Sequence, residues 1–257
     1  MKALSKLIGK RDKFAHLYTA GDHSTRSDDF DWTTYNESYA KQLAKMERDH
    51  TLKLAPGDAI LAHNALVLRA GLKPLHENHA ALYTAIATLA PKTAIEIGCG
   101  GGDHLHNLGL LTPAIDIRGF DRSDGQLSYL RQRSPHLADK VGVLDITMPP
   151  SRNLPTADLV YTQAVLMHIQ AGNGHLVALA NMTRIARDTM VLMENWRRHP
   201  FQDDIRRLHD LGCLAWDEVH FHVWRLAGRP KAMVVSRTAL PLEPLGAYAD
   251  LVGAMPA

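Results

Sequence analysis

From Lys92 onward, short apolar stretches alternate with amphipathic ones in one repeating order, and this rhythm constrains the chain more than any other feature. Apolar runs at 93–97, 115–120, 141–144, 159–162 and 189–193 predict strands. Helical patterns at 103–111, 126–132 and 175–186 stand between them, and 201–211 follows the fifth strand. Strands that alternate with helices require crossover connections, so the sheet is expected to be parallel. The ending differs. Segments 219–226 and 232–237 flank Ala227-Gly-Arg-Pro-Lys, which reads as a hairpin. The expectation is therefore α/β, mostly parallel, with an antiparallel end.

The first third has another character. Tyr35, Tyr39, Leu43 and Met46 recur at spacings of three and four, the mark of an amphipathic helix. Pro56-Gly57 breaks the chain, and Asp58 is expected to cap a second helix through Leu68 that stops at Gly71. A third helix is expected over 76–89, closed by Pro91. Three regions follow: a helical cap over 1–75, a ligand-binding domain over 76–240, and a Pro- and Gly-rich irregular tail over 241–257. A chain of 257 residues suits one large α/β domain with such a cap.

Glycines 98, 100 and 102 lie between the first strand of the series and its helix. Glycine lets a backbone turn sharply and approach a ligand without a Cβ between them. The helix starting near Asp103 directs amide hydrogens and a positive dipole end to the same place. A dinucleotide fingerprint does not fit, because its third glycine would fall on Asp103. Asp121 ends the second strand, where a carboxylate accepts hydrogen bonds from two ribose hydroxyls or caps the next helix. Asp145 ends the third strand, either as a ligand contact or as a turn residue before Pro149-Pro150. The three signals share the carboxyl edge, where open α/β sheets bind ligands.

Glu96-Ile-Gly98-Cys99-Gly100-Gly-Gly102 resembles motif I of class I S-adenosylmethionine-dependent methyltransferases. The resemblance spans roughly residues 78–240 and includes the strand order. It implies a seven-stranded Rossmann-like sheet with a C-terminal antiparallel hairpin, flanked by helices and topped by the N-terminal cap. It implies S-adenosyl-L-methionine as cofactor, with Glu96, Gly98, Cys99, Gly100 and Gly102 embracing its methionine and ribose parts. Asp121, followed by Arg122, would take the ribose hydroxyls. Asp145 would receive the adenine amino group, Ile146 would line the ring, and Gln163 would lie beside the methionine part. The stretch Val165-Leu-Met-His168-Ile resembles the family's motif IV region, making His168 the candidate general base, because imidazole titrates near neutrality. The competing reading is a histidine that packs on the sheet and caps a turn.

Substrate contacts are expected from Tyr35 and Tyr39, if they fold over the cofactor rather than only pack their helix. After the fifth strand, Asn195 would meet a substrate and Arg197 or Arg198 would hold its carboxylate or phosphate, or the segment forms a solvated loop. The implied activity is methyl transfer to an oxygen or nitrogen of a small molecule, of sugar or secondary-metabolite type. The alternatives are a macromolecular (protein or RNA) methyltransferase and a non-catalytic S-adenosylmethionine-binding protein.

Composition narrows the partners. The net charge is +2 with no basic, aromatic-interleaved patch, so nucleic acid is not expected. No run reaches the ~18–20 apolar residues that span a bilayer, so no membrane is expected. The first residues carry too short an apolar run for a signal peptide, which leaves the cytoplasm as the expected location. Cys99 and Cys213, a single pair far apart in a large, well-cored chain, do not read as a disulfide framework. The scattered histidines give no metal-ligand spacing, so no metal is expected. A homodimer is compatible with all of this.

Overall fold

The structure is a computed structural model that describes residues 39, 41–62, 65–148, 154–170 and 172–254. Seven strands form one sheet: β3 (Thr93–Ile97), β4 (Asp116–Asp121), β5 (Val141–Val143), β6 (Ala157–Gln163), β7 (Ala186–Met193), β8 (His220–Leu226) and β9 (Arg229–Ser236). Their order is β5-β4-β3-β6-β7-β9-β8. β3 pairs in parallel with β4 and β6, β4 with β5, and β6 with β7, while β9 is antiparallel to both β7 and β8. The predicted parallel core and terminal hairpin are both present.

Strand periodicity explains why this sheet is buried on both faces. Ile95, Val160, Met190, Leu192, Met233 and Val235 point to one side, where α4 (Gly174–Ile185), α5 (Phe201–Asp210) and α6 (Tyr248–Gly253) supply Leu179, Met182, Ile205, Leu208 and Leu251. Ala94, Leu159, Tyr161, Val191, Ala232 and Val234 point to the other. There α1 (Glu77–Leu89), α2 (Asp103–Leu111) and α3 (Asp124–Arg133) supply Leu82, Ile86, Leu105, Leu108, Leu127 and Leu130. Burying each such side chain contributes about 1.5–3 kcal/mol relative to exposure. The strand sequence runs outward from β3 to β4 and β5, then returns to β6 on the opposite side of β3. That reversal creates a crevice above the carboxyl ends of β3 and β6.

Two expectations are corrected. The helix expected from Asp58 through Leu68 is a β-hairpin, β1 (Ala59–Ala62) with β2 (Ala65–Leu68). Burial alternates along it, leaving Ile60 and its cross-strand partner Val67 exposed. Asp58 caps no helix. It accepts from Ala55 N at 2.9 Å and Arg69 Nη2 at 2.9 Å, closing the base of the hairpin. Those hydrogen bonds hold its carboxyl below the ordinary value. The tail is also more ordered than expected. Val223 N donates to Glu243 O and Leu245 N to Phe221 O, so the tail runs along β8 before α6 begins. Tyr248 Oη then donates to Trp196 O and His199 O, clasping the turn that follows β7.

No helix among the described residues is long and apolar enough to cross a membrane.

Candidate functional site

A cavity of about 510 Å³ opens at the crevice. Its floor is the loop from β3 to α2. Gly98 N and Cys99 N both donate to Phe120 O, at 2.7 and 3.1 Å, which ties the loop to the end of β4. Gly98 has φ +75°, and a methyl there would overlap the Val165 side chain. Only glycine lets the loop pass this close to the opposite wall. Gly102, at φ +78°, caps α2 and faces Leu130 rather than the cavity. A Cβ there would overlap the Leu130 side chain, so the glycine lets α2 pack closely onto α3. The outer side of the loop is pinned by Arg133, whose Nη1 lies 3.0 Å from Asp103 Oδ1. Tyr39 Oη accepts from Gly101 N at 3.3 Å and covers the loop from the N-terminal side.

On the β4–β5 side, the Asp121 carboxylate accepts from Gly100 N at 2.9 Å and Ser123 N at 2.8 Å. The two amides orient it and leave lone pairs facing the cavity. Burial raises its pKa above the ordinary carboxylate value, and the two amide bonds work against that shift. Asp145 stands two residues beyond β5, not at its end. Its Oδ1 accepts from Thr147 N at 2.9 Å and Thr147 Oγ1 at 2.6 Å. The residue therefore closes a turn and also lines the cavity. Leu144 and Ile146 supply an apolar wall. Beneath the loop, Glu96 is 1% exposed and accepts from Tyr161 Oη at 3.3 Å. Burial pushes its pKa well up.

The β6–β7 side is built by side chains. After β6 the chain turns through Ala164, whose φ of +55° is unfavourable for a residue with a Cβ. Glu194, at the end of β7, holds this turn. Its carboxylate accepts from Thr162 Oγ1 at 2.8 Å, Val165 N at 3.1 Å and Met167 N at 3.0 Å. Burial raises its pKa and these bonds oppose that rise. Ala164 N, in turn, donates to Met193 O. This arrangement presents His168 at the end of a single 3-10 turn, Leu166–His168, where it lines the cavity. Burial, reinforced by the Arg198 charge, lowers the His168 pKa, so the ring stays neutral at neutral pH. Gln163, the last residue of β6, also lines the cavity, with Oε1 3.0 Å from His104 Nε2.

The structure thus brings Glu96, Gly98, Cys99, Gly100, Asp121, Arg122, Asp145, Ile146, Gln163, His168 and Tyr39 to one cavity. Asn195 and Arg197 are not on its wall: Asn195 Oδ1 accepts from Arg197 N, an Asx-type turn that turns the arginine to solvent. Tyr35 lies outside the described residues. Sequence reasoning did not single out Glu194 or His104, because neither has a local pattern that betrays its partner. His104 and His106 diverge, one to the cavity and the other to His136 on the surface. Among the described residues, no three His, Cys, Asp or Glu side chains are arranged to hold a metal ion.

Chemically, the site combines an apolar slot with a carboxylate able to accept two hydroxyl donors. It adds a backbone loop that admits close approach and a neutral imidazole on the facing wall. Residues 95–192 match the family described as "Methyltransferase domain". No curated protein matches the chain by sequence. Among solved structures, a TehB-like SAM-dependent methyltransferase from Corynebacterium glutamicum is similar over 79% of this chain and 98% of its own, with a TM-score of 0.54 and 18% identity. Magnesium protoporphyrin IX methyltransferase from Synechocystis PCC 6803, with bound SAH, is similar over 80% of this chain and 97% of its own, with a TM-score of 0.50 and 12% identity. At these identities the likeness concerns the fold.

Proposed function

We propose that this chain, a class I S-adenosylmethionine-dependent methyltransferase, transfers its methyl group to an oxygen or nitrogen of a small molecule in the cytoplasm. The observation that carries the reading is the single cavity shared by the Gly98–Gly100 loop, the Asp121 carboxylate and His168. The residues fit S-adenosylmethionine. Asp121 offers lone pairs to vicinal hydroxyls, Leu144 and Ile146 offer an apolar face for a purine, and a Cβ at Gly98 would obstruct the loop's close approach. Asp145 is assigned to the adenine amino group, and Glu96, Cys99 and Arg122 complete the floor and rim around the sugar.

When bound, the cofactor supplies an electrophilic methyl group on a sulfonium. The protein's task in such a displacement is to align the acceptor and exclude water. Tyr39 covers the glycine loop and Val165 packs against it, so both shield the reacting end. His168, neutral at working pH, takes the acceptor proton at whichever ring nitrogen faces the cavity. The Glu194 carboxylate, through the amides of Val165 and Met167, fixes the turn that carries it. We assign the choice of acceptor to residues up to 75 and to the 194–218 segment. A cavity of about 510 Å³, of ordinary size for a small-molecule site, and the net charge of +2 favour a small acceptor, of sugar or secondary-metabolite type, over RNA or protein.

The test is transfer of tritiated methyl from S-adenosylmethionine to a panel of hydroxylated and aminated sugars and aromatic metabolites, with bulk RNA and a protein mixture alongside. Turnover on a small acceptor that His168→Ala lowers by roughly 10²–10⁴-fold supports the reading. Label found only in RNA or protein overturns the small-molecule assignment, and no transfer to any class overturns the enzymatic one.

A further inference from the structure

A chain of hydrogen bonds joins the N-terminal segment to the cavity, and its direction is fixed from one end. Asn107, fully buried on α2, is clamped by backbone: Leu54 N donates to its Oδ1 at 2.8 Å, and its Nδ2 donates to Leu52 O at 2.7 Å. Its amide therefore has one orientation. The same Nδ2 lies 2.9 Å from Tyr83 Oη, so the tyrosine oxygen accepts there. The tyrosine hydrogen is left to donate to the next partner, His104 Nδ1, at 3.0 Å. An Nδ1 that accepts places the ring proton of neutral histidine on Nε2. That Nε2–H donates to Gln163 Oε1 at 3.0 Å. With its oxygen engaged by His104, Gln163 has its NH2 left to donate to a partner in the cavity that it lines.

Each link is enforced by burial. Tyr83 is fully buried, which raises its pKa far out of range and keeps the hydroxyl as a donor. Burial lowers the His104 pKa and keeps the ring neutral. His79 stacks edge-on against the His104 ring at 4.6 Å between centroids, restricting its rotation.

We propose that His104 is a positioning residue that, through Tyr83 and Asn107, fixes the Gln163 amide as a hydrogen-bond donor to the carboxylate at the amino-acid end of the cofactor. This rests on the cofactor reading given above. With the ribose on Asp121 at the end of β4, Gln163 stands two strands away at the end of β6, about 10 Å along the crevice. The amino-acid end of S-adenosylmethionine extends from the ribose by such a length and carries both an ammonium and a carboxylate. An amide locked with its NH2 outward serves the carboxylate, whereas the flipped amide would serve the ammonium. The fold thus uses the backbone at Leu52 and Leu54 to select which end group is bound at Gln163.

The test joins two measurements on the full chain. The first is the tautomer of His104, read from 15N shifts of its ring. The second is calorimetric binding of S-adenosylhomocysteine and of 5′-methylthioadenosine, which lacks the amino-acid end. Wild type, His104→Phe and Tyr83→Phe are compared, and the tyrosine variant preserves core volume should the histidine variant fail to fold. The expected result is an Nε2–H tautomer in wild type and a partial shift to Nδ1–H in Tyr83→Phe. S-adenosylhomocysteine should bind about 10-fold more weakly to His104→Phe, the scale of one lost hydrogen bond to a charged group. Methylthioadenosine should bind all three proteins alike. An Nδ1–H tautomer in wild type, or equal losses for both ligands, overturns the proposal. Wild type that shows Nε2–H yet binds neither ligand overturns the cofactor reading and, with it, the carboxylate assignment, while leaving the bond directions intact.

Discussion

The cavity wall made by the ends of β3, β4 and β5 is held by backbone, whereas the wall made by β6 and β7 is held by side chains from distant parts of the chain. On the first, Gly98, Cys99 and Gly100 are tied through their own amides to Phe120 O and Asp121. On the second, Glu194 braces the turn at 164–168, and a chain of bonds from Leu52 and Leu54 ends at Gln163. A wall built from backbone has few ways to vary, since its contacts belong to every residue type. A wall built from side chains can be rebuilt one substitution at a time. The first suits the part of the ligand that does not change, and the second suits the part where chemistry and acceptor differ.

Substitutions should separate the two walls. The largest effect belongs to Gly98→Ala, which adds a methyl against Val165 at φ +75°. Positive φ alone costs a non-glycine residue about 1–3 kcal/mol. With the overlap added, S-adenosylhomocysteine binding should fall below calorimetric detection while circular dichroism stays native. Near-normal binding would mean that Val165 yields and that the backbone wall is softer than described.

His168→Ala comes next. General-base catalysis contributes roughly 10²–10⁴-fold, so turnover on the acceptor found by the transfer screen should fall by that factor while cofactor affinity stays unchanged. In wild type, a general base at His168 should set the acid limb of kcat. Because burial lowers its pKa, activity should persist below the ordinary imidazole value and be lost only as pH drops through the lowered one. A limb above the ordinary value would remove His168 from the chemistry and leave it as a turn residue.

Glu194→Ala should act on stability as well as rate. It leaves Thr162 Oγ1, Val165 N and Met167 N without their acceptor in a buried place. Each unsatisfied buried group costs about 1–3 kcal/mol, so urea denaturation should show a loss of at least about 2 kcal/mol. A change under about 0.5 kcal/mol would show that the turn stands without its brace. The smallest effect is expected from Tyr39→Phe. Its bond to Gly101 N is long, at 3.3 Å, and the affinity loss should stay under about 1 kcal/mol, a few-fold in Kd.

The same contrast explains what could be read from the sequence. The backbone wall was legible because its signals are local: glycines between a strand and a helix, and Asp121 closing the next strand. Gly102 was legible as part of the pattern, yet its steric reason, the Leu130 side chain, lies on another helix. The side-chain wall was legible only in part. Gln163 and His168 stand on the strand end and turn where the pattern puts them, but Tyr83, His104 and Asn107 meet Gln163 across separations that no periodicity records. Glu194 reads in sequence as one more polar residue after a strand. The hairpin at 59–68 was misread because each strand has only four residues, too few for alternation to stand out from a leucine-rich helical pattern. Likewise, the order of the tail comes from pairing with β8 and from Tyr248, both long-range.

The central claim is that Asp121 and the glycine loop bind S-adenosylmethionine by its ribose, and calorimetry with S-adenosylhomocysteine on wild type and Asp121→Ala tests it most directly. The account predicts micromolar binding by wild type, weakened by about 1–3 kcal/mol in the variant, the scale of lost charge-assisted hydrogen bonds. A folded wild type that binds NADH but not S-adenosylhomocysteine, or a variant that binds as tightly as wild type, would contradict it.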